Sequence, residues 1–164
     1  MSQLKPDTKE YLFAKGVMLH QLMRYDEAIS AFNEALKLDP NYAFAYSNKG
    51  LTLQAMRNLD DALQCFNKAL ELDAQDISSW TNKGVNLRMM KRYDEALECF
   101  KKALEIDPKH IVAMNNMGNV LQFQNNISGA LEWFNKSIEI DSQQAFTWFN
   151  KGRLRPKHNQ DEYR

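Results

Sequence analysis

At 164 residues the chain has the length of one ordinary domain, and its 21 lysines and arginines balance 21 aspartates and glutamates. A net charge of zero supplies no overall field to draw nucleic acid or an anionic membrane. The opening Met1-Ser2-Gln3-Leu4-Lys5-Pro6 lacks the apolar core of a secretory signal, and no stretch approaches the ~20 apolar residues of a membrane-spanning helix, so a cytoplasmic protein is expected.

Residues 1–8 form a polar lead in which Asp7 or Thr8 is placed to cap a first helix. Leu12, Gly16 and Leu19 then stand at i, i+4 and i+7, one side of a helix predicted over 9–22. Ala28, Phe32 and Ala35 repeat that spacing on a second helix over 25–38, which Asp39-Pro40 ends, because the residue before a proline leaves the helical region. The next pair, over 43–56 and 59–72, carries Tyr46, Gly50, Leu53, Ala62, Phe66 and Ala69, with Ala74 where the first pair has its proline. The third, over 77–90 and 93–106, carries Trp80, Gly84, Leu87, Ala96, Phe100, Ala103 and Pro108. The fourth, over 111–124 and 127–140, carries Met114, Gly118, Leu121, Ala130, Phe134 and Ser137, and Ser142 stands in place of the proline. A ninth helix over 145–155 keeps Trp148 and Gly152 in step before Pro156 and the polar tail stop it. The two missing prolines predict looser connections after the second and fourth pairs.

The same residue types recur every 34 positions: Gly16, Gly50, Gly84, Gly118 and Gly152, and Phe32, Phe66, Phe100 and Phe134. A 34-residue helix–turn–helix unit with an aromatic, Gly, Leu, then Ala, Phe, Ala and Pro at set offsets resembles the tetratricopeptide repeat. The resemblance implies an all-α fold, a right-handed α-solenoid of four repeats (9–42, 43–76, 77–110, 111–144) followed by a C-terminal capping helix at 145–155 and a tail at 156–164. Arg155 replaces the leucine found at Leu19, Leu53, Leu87 and Leu121, and terminal repeats need a polar outer face. Arg155→Leu is therefore expected to promote self-association.

No chemistry-bearing motif interrupts the repeats. Asp26-Glu27, Asp60-Asp61 and Asp94-Glu95 each open a second helix, where acidic groups favour the dipole, and they read as solvated helix ends. His20, His110 and His158 share no metal-ligand spacing, and no phosphate loop or nucleophile motif occurs, so no catalytic residue, metal or cofactor is predicted. Cys65 and Cys99 occupy equivalent places in adjacent repeats, too far apart for a disulfide if helix axes lie about 8–10 Å from one another, and read as reduced packing residues.

With Trp80, Gly84 and Leu87 assigned to the packed stripe, a neighbouring stripe of the first helix is left exposed: Ser78, Thr81, Asn82, Val85, Arg88 and Met89 in the third repeat. Its counterparts are Phe44, Ser47, Asn48, Leu51, Gln54 and Ala55 in the second and Val112, Asn115, Asn116, Asn119, Gln122 and Phe123 in the fourth. The first helix offers Glu10, Phe13, Ala14, Val17, His20 and Gln21, and the ninth Phe146, Phe149, Asn150 and Arg153. The family resemblance implies that this concave stripe grips a peptide or helix of a partner protein. Asn48, Asn82, Asn116 and Asn150 form a ladder able to pair with an extended backbone, and Phe123, Phe146 and Phe149 form an apolar cluster at one end. Chaperone-binding relatives use a Lys/Arg clamp, but the matching places here hold Ser78 or Val112 and Asn82 or Asn116. The expectation is a protein-interaction adaptor, monomeric or weakly self-associating. The alternative is a structural protein that stacks through its ends, favoured by Tyr11 and Met18, which no preceding repeat covers.

Overall fold

The structure is a computed structural model, which describes residues 8–143 and 145–153. Nine helices follow one another along the described chain: α1 (Lys9–Gln21), α2 (Tyr25–Leu38), α3 (Ala43–Ala55), α4 (Leu59–Leu72), α5 (Ile77–Met89), α6 (Tyr93–Ile106), α7 (Ile111–Phe123), α8 (Ile127–Ile140) and α9 (Ala145–Gly152). Each packs against the helix before it and the helix after it, and α1, α3, α5 and α7 also meet along one side. Pairs stacked in sequence, with no strand among the described residues, make an α-solenoid. Asp7 and Arg155, and with Arg155 the capping argument, lie outside the described residues.

Four phenylalanines hold the pairs together. Phe32, Phe66, Phe100 and Phe134 are fully buried, each with its ring laid against the glycine of the preceding helix. A Cβ at Gly84 would stand 2.5 Å from Cε1 of Phe100, closer than carbon atoms approach. The glycine thus makes room for an aromatic ring of the second helix. The alanines Ala28, Ala62, Ala96 and Ala130, with no exposure at all, supply the close approach around that ring.

The first helix of each pair ends one residue earlier than the pattern predicts, for a reason that apolar spacing cannot reveal. Met23, Arg57, Lys91 and Asn125 adopt positive φ, between 59° and 65°. At each, two backbone bonds close the helix: Lys91 N–H donates to the Arg88 carbonyl and Arg92 N–H to the Leu87 carbonyl, and the other three turns repeat this. That is the Schellman arrangement, usually built with glycine. None of the four positions carries one.

The connections between repeats also differ from expectation. The residues Asp39, Asp73, Asp107 and Asp141 end the second helices in one extended conformation, with ψ from 92° to 101°, whether or not proline follows. Each aspartate accepts a hydrogen bond at 2.9 Å from the backbone N–H two residues on, at Asn41, Gln75, Lys109 and Gln143. This Asx turn fixes the corner, so the proline is optional. Where it is missing the next repeat adds a brace: Trp80 Nε1–H donates to the Ala74 carbonyl at 3.0 Å and Trp148 Nε1–H to the Ser142 carbonyl at 2.9 Å. The connections predicted to be loose are the ones held by an indole.

Thr8 caps α1, accepting from Tyr11 N–H. Acidic residues occupy the first turns of α2, α4 and α6, and Arg24–Glu27 and Arg92–Glu95 pair within those ends. Cys65 and Cys99 are free thiols in the packed core, and burial pushes the Cys99 thiol up to about 11.

Candidate protein-binding groove

The first helices α1, α3, α5 and α7 stand side by side and line one face of the stack. Polar pairs two residues short of the repeat length lock them to one another. Ser79 donates through its hydroxyl to Ser47 at 2.8 Å, and Asn115 Nδ2 donates to Thr147 at 2.8 Å. A second row lies nearer the C-terminal ends, where His20 Nδ1 and Thr52 stand 3.0 Å apart and Gln54 donates to Asn86 at 3.4 Å. These residues are deep: Ser79, Thr52 and Asn86 have no exposed surface.

Two rows of buried polar pairs change which part of the predicted stripe is open. Asn115, 4% exposed, and Asn150, 3%, are buried and do not face solvent as predicted. The reason is geometric. Asn115 points along the stack at the next helix, as its bond to Thr147 shows, and one stripe at helical spacing spans both this direction and the groove. Ser47 and Thr81 are nearly closed off for the same reason and form the floor of the groove. The Asn115 Oδ1 and Asn150 Nδ2 atoms are buried without a hydrogen-bond partner.

Above that floor six of the residues of the stripe line one pocket. A pocket of about 450 Å³ spans α3, α5 and α7, with Phe44, Asn48 and Leu51 on one side, Ser78 and Asn82 in the middle and Val112 opposite. Phe44 and Val112 are more than half exposed, so apolar surface lies open on two walls of one pocket. Asp76 and His110, which the stripe did not include, close its rim as the N-caps of α5 and α7. A cap signal before each helix would have pointed to them. Val85, Asn119 and Met89 are half-buried further along the same helices.

The asparagine ladder is present only in part. Asn48 and Asn116 each turn Nδ2 back to a carbonyl of their own helix, of Phe44 and Val112, both at 2.9 Å. That leaves the Oδ1 acceptors for a ligand, while Asn82 makes no such bond among the described residues. Phe123 is exposed and its ring stacks on Tyr93, with centroids 6.0 Å apart and planes parallel to within 1°. The Arg88 guanidinium lies over the same ring at 5.8 Å. Burial holds the Arg88 pKa below its ordinary value, with Tyr93 acting in the opposite direction. The side chains of Phe146 and Phe149 lie outside what is described.

Among the described residues no group of three or more His, Cys, Asp or Glu side chains is placed to hold a metal, and no helix is long and apolar enough to cross a membrane. A stack of helix pairs presenting an amide-lined, partly apolar face belongs to the class of repeat scaffolds that bind other proteins. Sequence profiles of the tetratricopeptide repeat match residues 16–56, 43–76 and 75–143, and the chain belongs to the tetratricopeptide-repeat family. Solved structures share the fold. One, titled a functional characterisation of Pseudomonas aeruginosa pilF, is 24% identical with a TM-score of 0.82, over 89% of this chain and 67% of that one. A crystal structure of MamA is 22% identical with a TM-score of 0.78, over 87% and 83%. MamA from Desulfovibrio magneticus RS-1, residue 41 to its end, is 24% identical with a TM-score of 0.77, over 85% and 78%. Among curated proteins none matches the chain in sequence.

Proposed function

We propose that the protein is a non-catalytic adaptor that holds an extended or helical segment of a partner protein in the groove of α3, α5 and α7. The observation that carries this reading is the exposure of Phe44, 57%, and Val112, 53%, on opposite walls of one pocket whose middle is amide and hydroxyl. Apolar walls give affinity, and the free Oδ1 atoms of Asn48 and Asn116 give backbone N–H groups a place to bond. Both effects suit a peptide segment better than a small polar metabolite.

The test is titration of a partner segment, first isolated by affinity from the source cell, against the parent and an Asn82→Ala/Asn116→Ala variant. Two neutral hydrogen bonds contribute about 1–3 kcal/mol together, so binding weakens roughly five- to 150-fold while stability is unchanged. Equal affinities overturn the ladder's role, and a partner that also ignores Phe44→Ala overturns the groove.

A second reading, self-assembly through the N-terminal end, rests on one observation. Tyr11, 36% exposed, and Met18, 55%, stand where the later repeats have fully buried residues: Ala45, Ser79, Ala113 and Thr147 for the first, Thr52, Asn86 and Val120 for the second. Yet Tyr11 is far larger than its counterparts, so a second copy cannot dock at the spacing used within the array. Light scattering across a concentration series separates the readings. A single monomeric mass at every concentration removes the second.

A further inference from the structure

Arg88 breaks the polar row that joins the first helices. His20 finds Thr52 in the next repeat and Gln54 finds Asn86, each partner 32 residues on. The equivalent of those partners for Arg88 is Val120, fully buried and without a polar group. Arg88 therefore donates no hydrogen bond and forms no ion pair among the described residues, and its Nε is enclosed with no partner. No carboxylate acts on its pKa either. The half-buried guanidinium has only the Phe123 face, at 5.8 Å, and the C-terminal end of α5 for company.

A half-buried guanidinium without a hydrogen bond or ion pair is a costly arrangement, and a carboxylate engages the outer nitrogens of such a fork in bidentate fashion. Resting on the reading that the groove takes a partner segment, we propose that Arg88 and Phe123 form a subsite for the side-chain carboxylate of an aspartate or glutamate in that segment. Charge complementarity decides the chemistry, since a cation with no carboxylate beside it on an amide-rich face selects an anion. A side chain is favoured over a chain terminus because Arg88 sits in the third of four repeats. First helices of other repeats flank α5 on both sides, α3 and α1 in one direction and α7 in the other. Phe123, stacked on Tyr93, presents a fixed apolar wall to the methylenes of the acid.

The probe is a randomised dodecapeptide library, displayed so that no free C-terminus is offered, selected on the full chain and on its Arg88→Gln variant. Glutamine is what the register already carries at Gln54 and Gln122, so that variant keeps the fold, checked by circular dichroism. The parent is expected to enrich peptides with Asp or Glu at one aligned position. The synthetic, C-amidated peptide then binds the parent about tenfold or more tightly than the same peptide with the acid replaced by its amide, and Arg88→Gln binds both alike. Arg88→Lys, which keeps charge without the fork, gives an intermediate ratio. An enriched set with no acidic position, or an acid-to-amide ratio that survives in Arg88→Gln, overturns the subsite. Tighter binding only of peptides with a free C-terminal carboxylate overturns the side-chain assignment. Failure of the parent to enrich anything over Phe44→Ala/Asn82→Ala refutes the groove itself, and the subsite with it.

Discussion

Two glycines in identical register, Gly84 and Gly152, are expected to respond differently to the same substitution. At Gly84 an added Cβ meets Cε1, Cζ and Cδ1 of Phe100 at 2.5, 2.7 and 2.9 Å, and the ring has no exposed surface into which to retreat. Overpacking costs about 1–3 kcal/mol, and contacts this short against an enclosed ring fall in the upper half of that range, about 2–3 kcal/mol, while alanine for glycine within a helix returns about 1 kcal/mol. Gly84→Ala is thus expected to destabilise by about 1–2 kcal/mol, a fall in Tm of roughly 2–8 °C. Gly152, at the end of α9, has nothing within 4 Å of its added carbon, and Gly152→Ala stays within about 0.5 kcal/mol of the parent. Shortening the ring isolates the cause. In a Phe100→Leu background Gly84→Ala should lose its penalty and show the helix-forming gain instead, a coupling read from a four-protein cycle in urea. A Gly84→Ala protein as stable as the parent, or one with the same loss in both backgrounds, would refute the ring-on-glycine account.

The remaining predictions concern the turns and the thiols. Ala74→Pro should stabilise by about 0.4–1 kcal/mol, because Asp73 already has the extended backbone that precedes a proline and the Ala74 N–H donates no bond; a lowered urea midpoint shows the corner is not equivalent to Asp39-Pro40. Lys91→Gly should stabilise by about 0.5–1 kcal/mol by relieving a φ of 61° in a side-chain-bearing residue, and unchanged thermal unfolding counts against strain at that turn. Cys99, its thiol pushed up to about 11 by burial, should react with iodoacetamide at pH 8 roughly a hundredfold more slowly in the folded protein than after unfolding, with the rate climbing toward pH 11; equal rates mean the site opens readily.

The helix pairs and their order were legible because the chain states them four times over. Period and residue type agree, and any local misreading of one repeat is corrected by its neighbours. The glycine-to-phenylalanine fit is equally local, since both partners lie within one repeat. Three things depended on the tertiary structure. The left-handed residues at Met23, Arg57, Lys91 and Asn125 carry no common side chain, so only backbone geometry reveals where the first helices end. The Trp80 and Trp148 braces join residues of different repeats, which no single-repeat pattern encodes. The split of one stripe into buried Asn115 and open Asn116 depends on how far each helix is rotated against the next. That rotation is set by packing between repeats, and a spacing of three or four residues along one helix cannot resolve it. The unpaired Arg88 belongs to the same class, being conspicuous only once Val120 is seen to stand where its partner would be.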